Sequence, residues 1–234
     1  MKKREEEKAY LESYNESDYV KPSVAVDILV LTIDNNLLKA VAVRRDEMPF
    51  KDMWALPGVF VGINETLDEA ALRGIKEETG MDEIYMEQLY TWSDINRDPR
   101  MRVISVSYIA LINSKQIQLK AGKRVSDASL IPVYDLLSNT EEMAFDHAKI
   151  LQYGVERIRN KVEYTQIAFE LLEEKFTLPE LQRVYEIILG KSLYKANFRK
   201  KVKDLIEETG DIQAGVANRP SKYYRLKEKM EVSL

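Results

Sequence analysis

The first half of the chain alternates hydrophobic and polar positions in the way that β-strands do. Strands are predicted over Val24–Ile33 and Leu38–Val43, joined by an Asp-Asn-Asn turn as a hairpin. A loop containing Pro-Gly follows at Trp54–Val61, and further strands are predicted over Ile84–Trp92 and Arg102–Ile112. Val24–Ile33 is expected to bury one face.

Two helices are predicted among these strands. The segment Thr66–Glu69 has the spacing of a capping box, and the helix that it opens is expected to end at Gly80. Asp146 is expected to cap a second helix, which carries His147 and runs to about Arg159. Alternating strands and helices of this kind indicate an α/β or α+β domain.

The pattern becomes almost entirely helical beyond residue 160. Thr177–Glu180 is a second capping box, whose helix is expected to end at Gly190, and a third helix is predicted over Tyr194–Glu208. Asn218–Leu226 is predicted to be a turn with a short strand. The predicted organisation is an N-terminal arm at 1–22, a first domain at 23–158 and a second domain at 159–234.

The composition is that of a globular protein. Of 234 residues, 45% are hydrophobic and 32% are charged, and no run is apolar enough to span a membrane. The first ten residues have no apolar stretch after the basic ones, so no secretory signal is expected and the predicted location is cytoplasmic. The chain has no cysteine and one histidine, His147, which argues against thiolate metal sites, histidine-rich metal sites and cysteine or serine–histidine catalysis.

The net charge of −4 hides an asymmetry between the two halves. Residues 1–160 carry 21 basic and 27 acidic residues, a balance of −6, whereas residues 161–234 carry 14 and 12, a balance of +2. Residues 187–203 contain six basic residues and no acidic one. This pattern is typical of a domain that contacts an anion, although a solvated lysine-rich helix has the same pattern.

The segment Trp54–Asp82 spaces carboxylates so that they meet on one helical face. Glu77 and Glu78 lie three and four residues after position 74, and carboxylates grouped in this way hold magnesium against a diphosphate. Gly74 removes one carboxylate from that face and places glycine inside a helix, at a cost of about 1 kcal/mol relative to alanine.

This segment resembles the Nudix box, G-x5-E-x7-R-E-U-x-E-E-x-G-U. The matching residues are Glu65, Arg73, Ile75, Glu77, Glu78 and Gly80, whereas Val59 and Gly74 depart from the first glycine and the first core glutamate. The resemblance implies a Nudix fold, with a mixed sheet between helices. It also implies Glu65, Arg73, Glu77 and Glu78 as catalytic residues, with Glu77 and Glu78 as magnesium ligands. The departures predict weak or absent hydrolysis, unless Glu141, Glu142 or Asp146 supplies a base.

Arginines cluster before the strand at Arg102–Ile112. Arginine forks bind phosphates well, and the predicted ligand-binding residues are Arg44, Arg45, Lys51, Arg97, Arg100 and Arg102. A turn stabilised by Arg–Asp pairs has the same pattern. The Arg-Asp-Pro-Arg element resembles Nudix domains that handle ADP-ribose, and this resemblance suggests the ligand. Phe50, Trp54 and Trp92 are expected in the core, with stacking on a base as the alternative.

The predicted helix Tyr194–Glu208 places Phe198, Val202, Leu205 and Ile206 on one face and basic residues on the other. This is typical of a DNA recognition helix, although a helical appendage for dimer contacts is an alternative. The predicted DNA-binding residues are Lys195, Asn197, Arg199, Lys200, Lys203, Arg219 and Lys222, the last two at a wing tip. Residues 176–202 and 219–226 resemble the winged helix-turn-helix domain of NrtR-type, Nudix-related transcriptional regulators.

The two resemblances together cover about residues 23–228. They imply a homodimeric regulator, a repressor of NAD-related metabolism by resemblance, that binds an operator in double-stranded DNA and senses ADP-ribose or a similar nucleotide. A magnesium-dependent hydrolase of ADP-ribose or another nucleoside diphosphate derivative is the first alternative. A sugar-responsive regulator is the second, and the number of arginines argues against it because an uncharged sugar needs few cations.

Overall fold

The computed structural model describes residues 2–15, 17, 19–79, 84–117, 119, 125–213 and 220–227. The helices are α1 (Lys2–Ser13), α2 (Leu67–Thr79), α3 (Val133–Ser138), α4 (His147–Lys161), α5 (Leu178–Leu189) and α6 (Lys195–Val202). The strands of the first domain are β1 (Ser23–Asp34), β2 (Leu37–Arg45), β3 (Trp54–Ala55), β4 (Gly58–Phe60), β5 (Tyr85–Trp92), β6 (Val103–Leu111) and β7 (Val125–Pro132). Those of the second are β8 (Phe176–Thr177), β9 (Ile206–Ile212) and β10 (Lys222–Leu226).

The first domain is built on a mixed sheet. Its strands run in the order β3-β2-β1-β6-β5, with β4 paired to β1 and β7 paired to β2. The central strands β1 and β6 are parallel, and the other pairs are antiparallel. The predicted hairpin turn is confirmed, since Asn35 and Asn36 both have positive φ, which asparagine tolerates.

Strand β1 is buried on both faces, not on one face as its sequence pattern predicted. Residues 25–32 are all buried, because helices cover both sides of the sheet. Val26, Ile28 and Val30 face one hydrophobic cluster together with α2, and Leu29 and Leu31 face another together with α4. The predicted architecture, a mixed sheet between helices, is therefore confirmed.

The second domain is a winged helix. A 3-10 segment at Ile167–Leu171 precedes α5 and α6, and a three-stranded sheet in the order β8-β10-β9 closes the domain. The capping box at Thr177 is confirmed by reciprocal bonds with Glu180, and Gly190 ends α5 in the left-handed conformation. The predicted winged helix-turn-helix class is confirmed.

The predicted third helix is too long. Helix α6 ends at Val202, and Ile206 begins strand β9, which pairs with β10. The prediction for Leu205 and Ile206 as helical core residues is therefore wrong, although Ile206 is buried in the same cluster. Pairing with β10 determines the structure here, because tertiary contacts override local helix propensity.

The two domains share one hydrophobic core, with α4 at its centre. This core runs from Leu29 and Leu31 of the first sheet, through Ile158 of α4, to Leu181 of α5 and Phe198 of α6. The predicted domain boundary after residue 158 lies inside α4. The winged helix is thus packed against the first domain and is not suspended from it on a free segment.

Polar contacts reinforce this junction. The Arg159 Nε donates a hydrogen bond to the Ile188 carbonyl at 3.1 Å, and the Arg183 Nε donates one to the Asn36 side chain at 3.2 Å. Asn113 donates to the Leu171 carbonyl at 3.3 Å. The winged helix is therefore held at three separate points of the first domain.

The predicted N-terminal arm contains helix α1, whose described side chains are exposed. Among the helices of the described ranges, none has the length and apolar character needed to cross a membrane.

We expect Ile158→Ala to lower the free energy of unfolding by about 2–5 kcal/mol, because truncation leaves a cavity in a fully buried site. Because the core is shared, circular dichroism of all helices and fluorescence of Trp54 and Trp92, both in the first domain, should report a single urea transition. Glu156→Ala, at an exposed position of the same helix, is the control. Two separated transitions in the wild type would contradict a shared core.

Candidate ligand site and DNA-binding surface

The helix of the Nudix-like segment is α2, and its predicted capping box is confirmed. The Thr66 N–H donates to the Glu69 carboxylate at 2.7 Å, and the Glu69 N–H donates to the Thr66 hydroxyl at 3.2 Å. Gly80 lies outside the described residues, and α2 ends at Thr79. The buried side of the helix packs Ala70, Ala71 and Ile75 against the sheet.

A clamp between Glu65 and Arg73 fixes the loop before α2. Two hydrogen bonds join the guanidinium to the carboxylate, at 2.7 and 3.2 Å, and the Gly62 N–H donates to the same carboxylate at 2.6 Å. The bonds from Arg73 and then from Gly62 lower the pKa of Glu65. Arg73 also donates to the Phe60 carbonyl at 3.0 Å. These two predicted catalytic residues therefore hold each other and the loop.

The two departures from the box pattern lie against each other. A Cβ at position 74 would lie 2.7 Å from the Ile28 Cδ1 and 3.5 Å from both methyl groups of Val59. Ile28 and Val59 therefore lie beside position 74, and a longer side chain there would have to fit against these apolar groups.

The described side chains do not by themselves form a magnesium site. Glu65 is engaged by Arg73, position 74 provides no oxygen, and Glu77 lies on the surface 3.7 Å from Arg73. The Glu78 side chain lies outside the described residues. Within the described ranges, no three acidic or histidine side chains are close enough to hold a metal ion together. Glu141 and Glu142 are exposed on the 3-10 segment at Thr140–Glu142.

The predicted ligand cations have different environments. Arg97 is buried and bonded to two carboxylates. Arg102 donates to the carbonyls of Ser93 and Asp94, at 3.0 and 2.9 Å. Lys51 is exposed in the turn after β2. Arg44 lies over the Trp54 ring at 5.4 Å. These four cations are therefore spread over separate places.

Two of the predicted ligand cations meet at one aromatic ring. The guanidinium carbons of Arg45 and Arg100 lie 4.9 and 5.9 Å from the centre of the Phe145 ring. Arg100 is paired with Asp98 at 2.7 Å, and Arg45 donates to the Pro49 carbonyl at 2.8 Å. Burial, and then the charge of Arg100, lower the pKa of Arg45. Two cations held this close are suited to bind an anion.

Phe145 and Phe50 line this place, and both have unusual backbones. The centres of the two rings are 4.7 Å apart. The φ angle is +54° at Phe145 and +62° at Phe50. Left-handed backbone at a bulky residue stores strain and is concentrated at functional sites. Phe145 was missed by the sequence analysis, and its place between the Asp146 carboxylate and the arginines is visible only in the fold. Trp54 and Trp92 pack against the core as predicted.

Asp146 does not cap α4 with its side chain, so that prediction is wrong. Its carboxylate instead accepts two hydrogen bonds from Arg97, at 2.7 and 3.1 Å. His147 is buried, and its Nδ1 accepts a hydrogen bond from the Leu56 N–H at 2.9 Å. The ring proton therefore lies on Nε2, which faces the Asp27 Oδ1 at 3.5 Å.

Asp27 and Ser105 complete a buried polar cluster that the sequence analysis missed. The Asp27 carboxylate accepts hydrogen bonds from Arg97 at 2.8 Å and from the Ser105 hydroxyl at 2.6 Å. Burial alone would raise the pKa of Asp27, but His147, Arg97 and Ser105 outweigh it and hold the pKa below its usual value. A single charge inside the apolar run of β1 was the available signal, because an unpaired buried carboxylate is very costly.

The basic face of α6 is open to solvent. Phe198 and Val202 are buried, as predicted. The exposed residues of the predicted DNA-binding set here are Lys195, Asn197, Arg199, Lys200 and Lys203, the last directly after the helix. Lys222 begins β10 and pairs with Glu208 at 2.7 Å, whereas Arg219 lies outside the described residues.

The fold and these surfaces define a Nudix-type domain joined to a winged helix of the DNA-binding type. Residues 21–154 match the NUDIX domain family, and residues 168–226 match the family of the NrtR DNA-binding winged helix domain. The chain therefore belongs to the NUDIX family, in the group that carries the NrtR winged helix.

Two curated relatives are similar to this chain. The ADPR responsive transcriptional repressor NtrR of Acinetobacter baylyi is 37% identical over 225 residues, which are 94% of this chain and 88% of the relative. The ADP-ribose pyrophosphatase of Methanocaldococcus jannaschii is 41% identical over 134 residues, which are 57% of this chain and 73% of the relative. The first relative spans both domains, whereas the second matches a length close to that of the Nudix domain alone.

Two solved structures are also similar. Shewanella oneidensis NrtR complexed with a 27mer DNA has a TM-score of 0.77 and 34% identity, covering 87% of this chain and 93% of that chain. The NUDIX domain of the same protein complexed with ADP ribose has a TM-score of 0.59 and 32% identity, covering 65% of this chain and 98% of that chain.

We expect Gly74→Glu to lower the free energy of unfolding by about 1–3 kcal/mol, because the new side chain meets Ile28 and Val59. It should not create magnesium-dependent turnover of ADP-ribose. Gly74→Ala should change stability little, since the roughly 1 kcal/mol gain in helix propensity offsets the shift of the Ile28 tip. A Val59→Gly, Gly74→Glu double variant should recover part of the loss in urea unfolding. Additive effects of the two changes would contradict the coupling of positions 59 and 74.

Lys200→Ala should weaken DNA binding and reduce the slope of log affinity against log salt by about one unit, because one phosphate contact is lost. Fluorescence anisotropy with a labelled operator fragment over a salt series measures this slope. Lys149→Ala, an exposed lysine of α4, is the control. An equal salt slope for the Lys200 variant and the wild type would remove Lys200 from the DNA surface.

Proposed function

We propose that the protein is an ADP-ribose-responsive transcriptional repressor. The observation that carries this proposal is the pairing, in one chain, of a Nudix domain without a carboxylate at position 74 and an exposed basic helix on a winged helix. The similarity to the A. baylyi repressor over 94% of the chain supports it. A homodimer in the cytoplasm, acting on operators of NAD-related genes, is part of the proposal.

The proposed ligand site lies at Arg45, Arg100 and Phe145. ADP-ribose contains a diphosphate, which would neutralise the two neighbouring guanidinium groups, and a planar base that suits an aromatic surface. The structure of the S. oneidensis NUDIX domain with ADP ribose supports the same class of ligand. Arg97 is buried between the carboxylates of Asp27 and Asp146, so it is a weaker candidate for direct contact with the ligand.

Release from DNA requires that ADP-ribose bind the DNA-free form more tightly than the DNA-bound form. A difference of about 100-fold in affinity, or about 2.7 kcal/mol, is enough for a useful switch. In a homodimer, two winged helices would meet two half-sites, so a change in their spacing would alter DNA affinity strongly.

The direct test is DNA binding by gel shift, with promoter fragments from the native genome at fixed salt. We expect specific binding that ADP-ribose weakens, whereas free sugars such as arabinose leave it unchanged. If DNA binding is specific but responds only to a sugar, the ligand is the sugar and not ADP-ribose. Absence of specific binding with every ligand would overturn the regulator function. Sedimentation of the free protein tests the homodimer.

A magnesium-dependent ADP-ribose hydrolase is the second candidate, favoured by 41% identity to an ADP-ribose pyrophosphatase and by the preserved Glu65–Arg73 clamp. The missing donor at position 74 argues against rapid turnover. Product release from ADP-ribose at high protein concentration, with magnesium and with a chelator, separates the two functions. Turnover at a rate typical of enzymes, about 1 per second or faster, would favour the hydrolase.

We expect Arg100→Ala to weaken ADP-ribose binding by about 10- to 100-fold, because a hydrogen bond to a charged group contributes about 1.5–3 kcal/mol. Operator affinity without ligand should not change, since Arg100 bonds to Asp98 within its own loop. Isothermal titration calorimetry measures the first quantity, with Arg4→Ala in the exposed helix α1 as the control. Unchanged ADP-ribose affinity would show that the diphosphate binds elsewhere.

A further inference from the structure

A buried charge cluster joins the ligand loop to the start of α4. The Arg97 Nη2 donates to Asp27 at 2.8 Å and to Asp146 at 2.7 Å, and the side chains of Arg97, Asp27 and Asp146 are only 4%, 9% and 11% exposed. Arg97 belongs to the loop between β5 and β6, Asp27 to β1, and Asp146 is the residue before α4. Three separate elements are therefore held together by one guanidinium.

We infer that Arg97 and Asp146 are positioning residues that couple occupancy of the ligand site to the orientation of the winged helix through α4. This inference rests on the proposed function, in which ADP-ribose binds the Nudix domain and weakens DNA binding. It assigns no contact with the ligand to either residue.

Both residues of the Arg97–Asp146 ion pair are close in sequence to residues of the proposed ligand site. Arg97 precedes Arg100 by three residues in the same loop. Asp146 directly follows Phe145, and the guanidinium groups of Arg45 and Arg100 lie over the Phe145 ring. The backbone of Phe145 is left-handed, with φ of +54°, so the chain turns sharply between the ring and the carboxylate. An anion that moves Arg100 or Phe145 therefore displaces the partners of the ion pair.

At its C-terminal end, α4 reaches the winged helix without a break. The helix has 15 residues and is about 22 Å long at 1.5 Å per residue. Its last turns lie in the shared core, and Arg159 bonds to the final turn of α5 at Ile188. Tyr185 of α5 contacts the ring of Phe198 in α6, with ring centres 5.2 Å apart. A shift at the start of α4 is thus carried by packed side chains to the DNA-binding helix.

Asp146 lies at a position that offers an aspartate a second set of partners. It occupies the N-cap position of α4, where an aspartate commonly accepts hydrogen bonds from the first turn, yet its side chain makes none of those bonds. Its carboxylate is bonded to Arg97 instead. Two alternative partner sets for one carboxylate provide the two discrete arrangements that a switch requires. The structure shows the arrangement with Arg97, and we assign the capped arrangement to the ligand-bound form.

The variant that tests this is Asp146→Asn, which removes the ion pair but keeps a good N-cap residue. We expect operator affinity without ligand to fall, ADP-ribose affinity to stay within about 3-fold of the wild type or to become tighter, and the effect of ADP-ribose on DNA binding to shrink from the wild-type ratio to less than about 3-fold. Anisotropy and calorimetry measure these three quantities. Asp135→Asn, an exposed aspartate of α3, is the matched control.

A full ligand effect in Asp146→Asn, or loss of ADP-ribose affinity by more than about tenfold, would overturn the inference. If the wild type itself shows no effect of ADP-ribose on DNA binding, the proposed function fails and not the coupling route.

A wild-type measurement keeps the test independent of how well the variant folds. Hydrogen exchange with and without ADP-ribose should change at the first turn of α4 and in α5. Changes confined to the loop that carries Arg97 and Arg100 would overturn the inference.

Discussion

The packing of α4 against β1 is the contact on which the rest of the structure depends. Gly154 permits it, because a Cβ at that position would overlap the Leu29 side chain. This close approach lets Ile150, Leu151 and Ile158 cover one face of the sheet while the same helix supports α5. Among the described residues, the winged helix therefore has no separate hydrophobic core that would let it move independently of the first domain. The shared core makes α4 a direct connection between the first domain and the winged helix.

Apolar packing also determines which charged groups the Nudix segment can present. Position 74 provides no carboxylate and lies beside the apolar side chains of Ile28 and Val59, whereas the Glu65–Arg73 clamp still holds the loop before the helix. The clamp needs no metal, because its charges neutralise each other. The segment therefore keeps the clamped loop while position 74 provides no carboxylate.

The sequence predicted the features that depend on neighbours along the chain. Both capping boxes, the Asn-Asn turn and the end of α5 at Gly190 follow from local hydrogen bonds and backbone preferences. The end of α6 and strand β9 were missed, because pairing with β10 decides them. The site was less predictable still. Six cations looked equivalent in the sequence, and only the fold shows that Arg45 and Arg100 meet at the Phe145 ring while Arg97 is buried between two carboxylates.

Asp27 shows why a departure from a pattern can carry more information than the pattern. A carboxylate in the middle of β1 interrupts an otherwise apolar run, and burying it without partners would destabilise the fold severely. Arg97, Ser105 and His147 all turn toward it, so its charge fixes the loop, strand β6 and the start of α4 relative to one another. An apolar residue would pack the strand equally well and would leave these elements without a directional link. The charge is therefore better explained by the relative positions that it imposes than by the stability of the sheet.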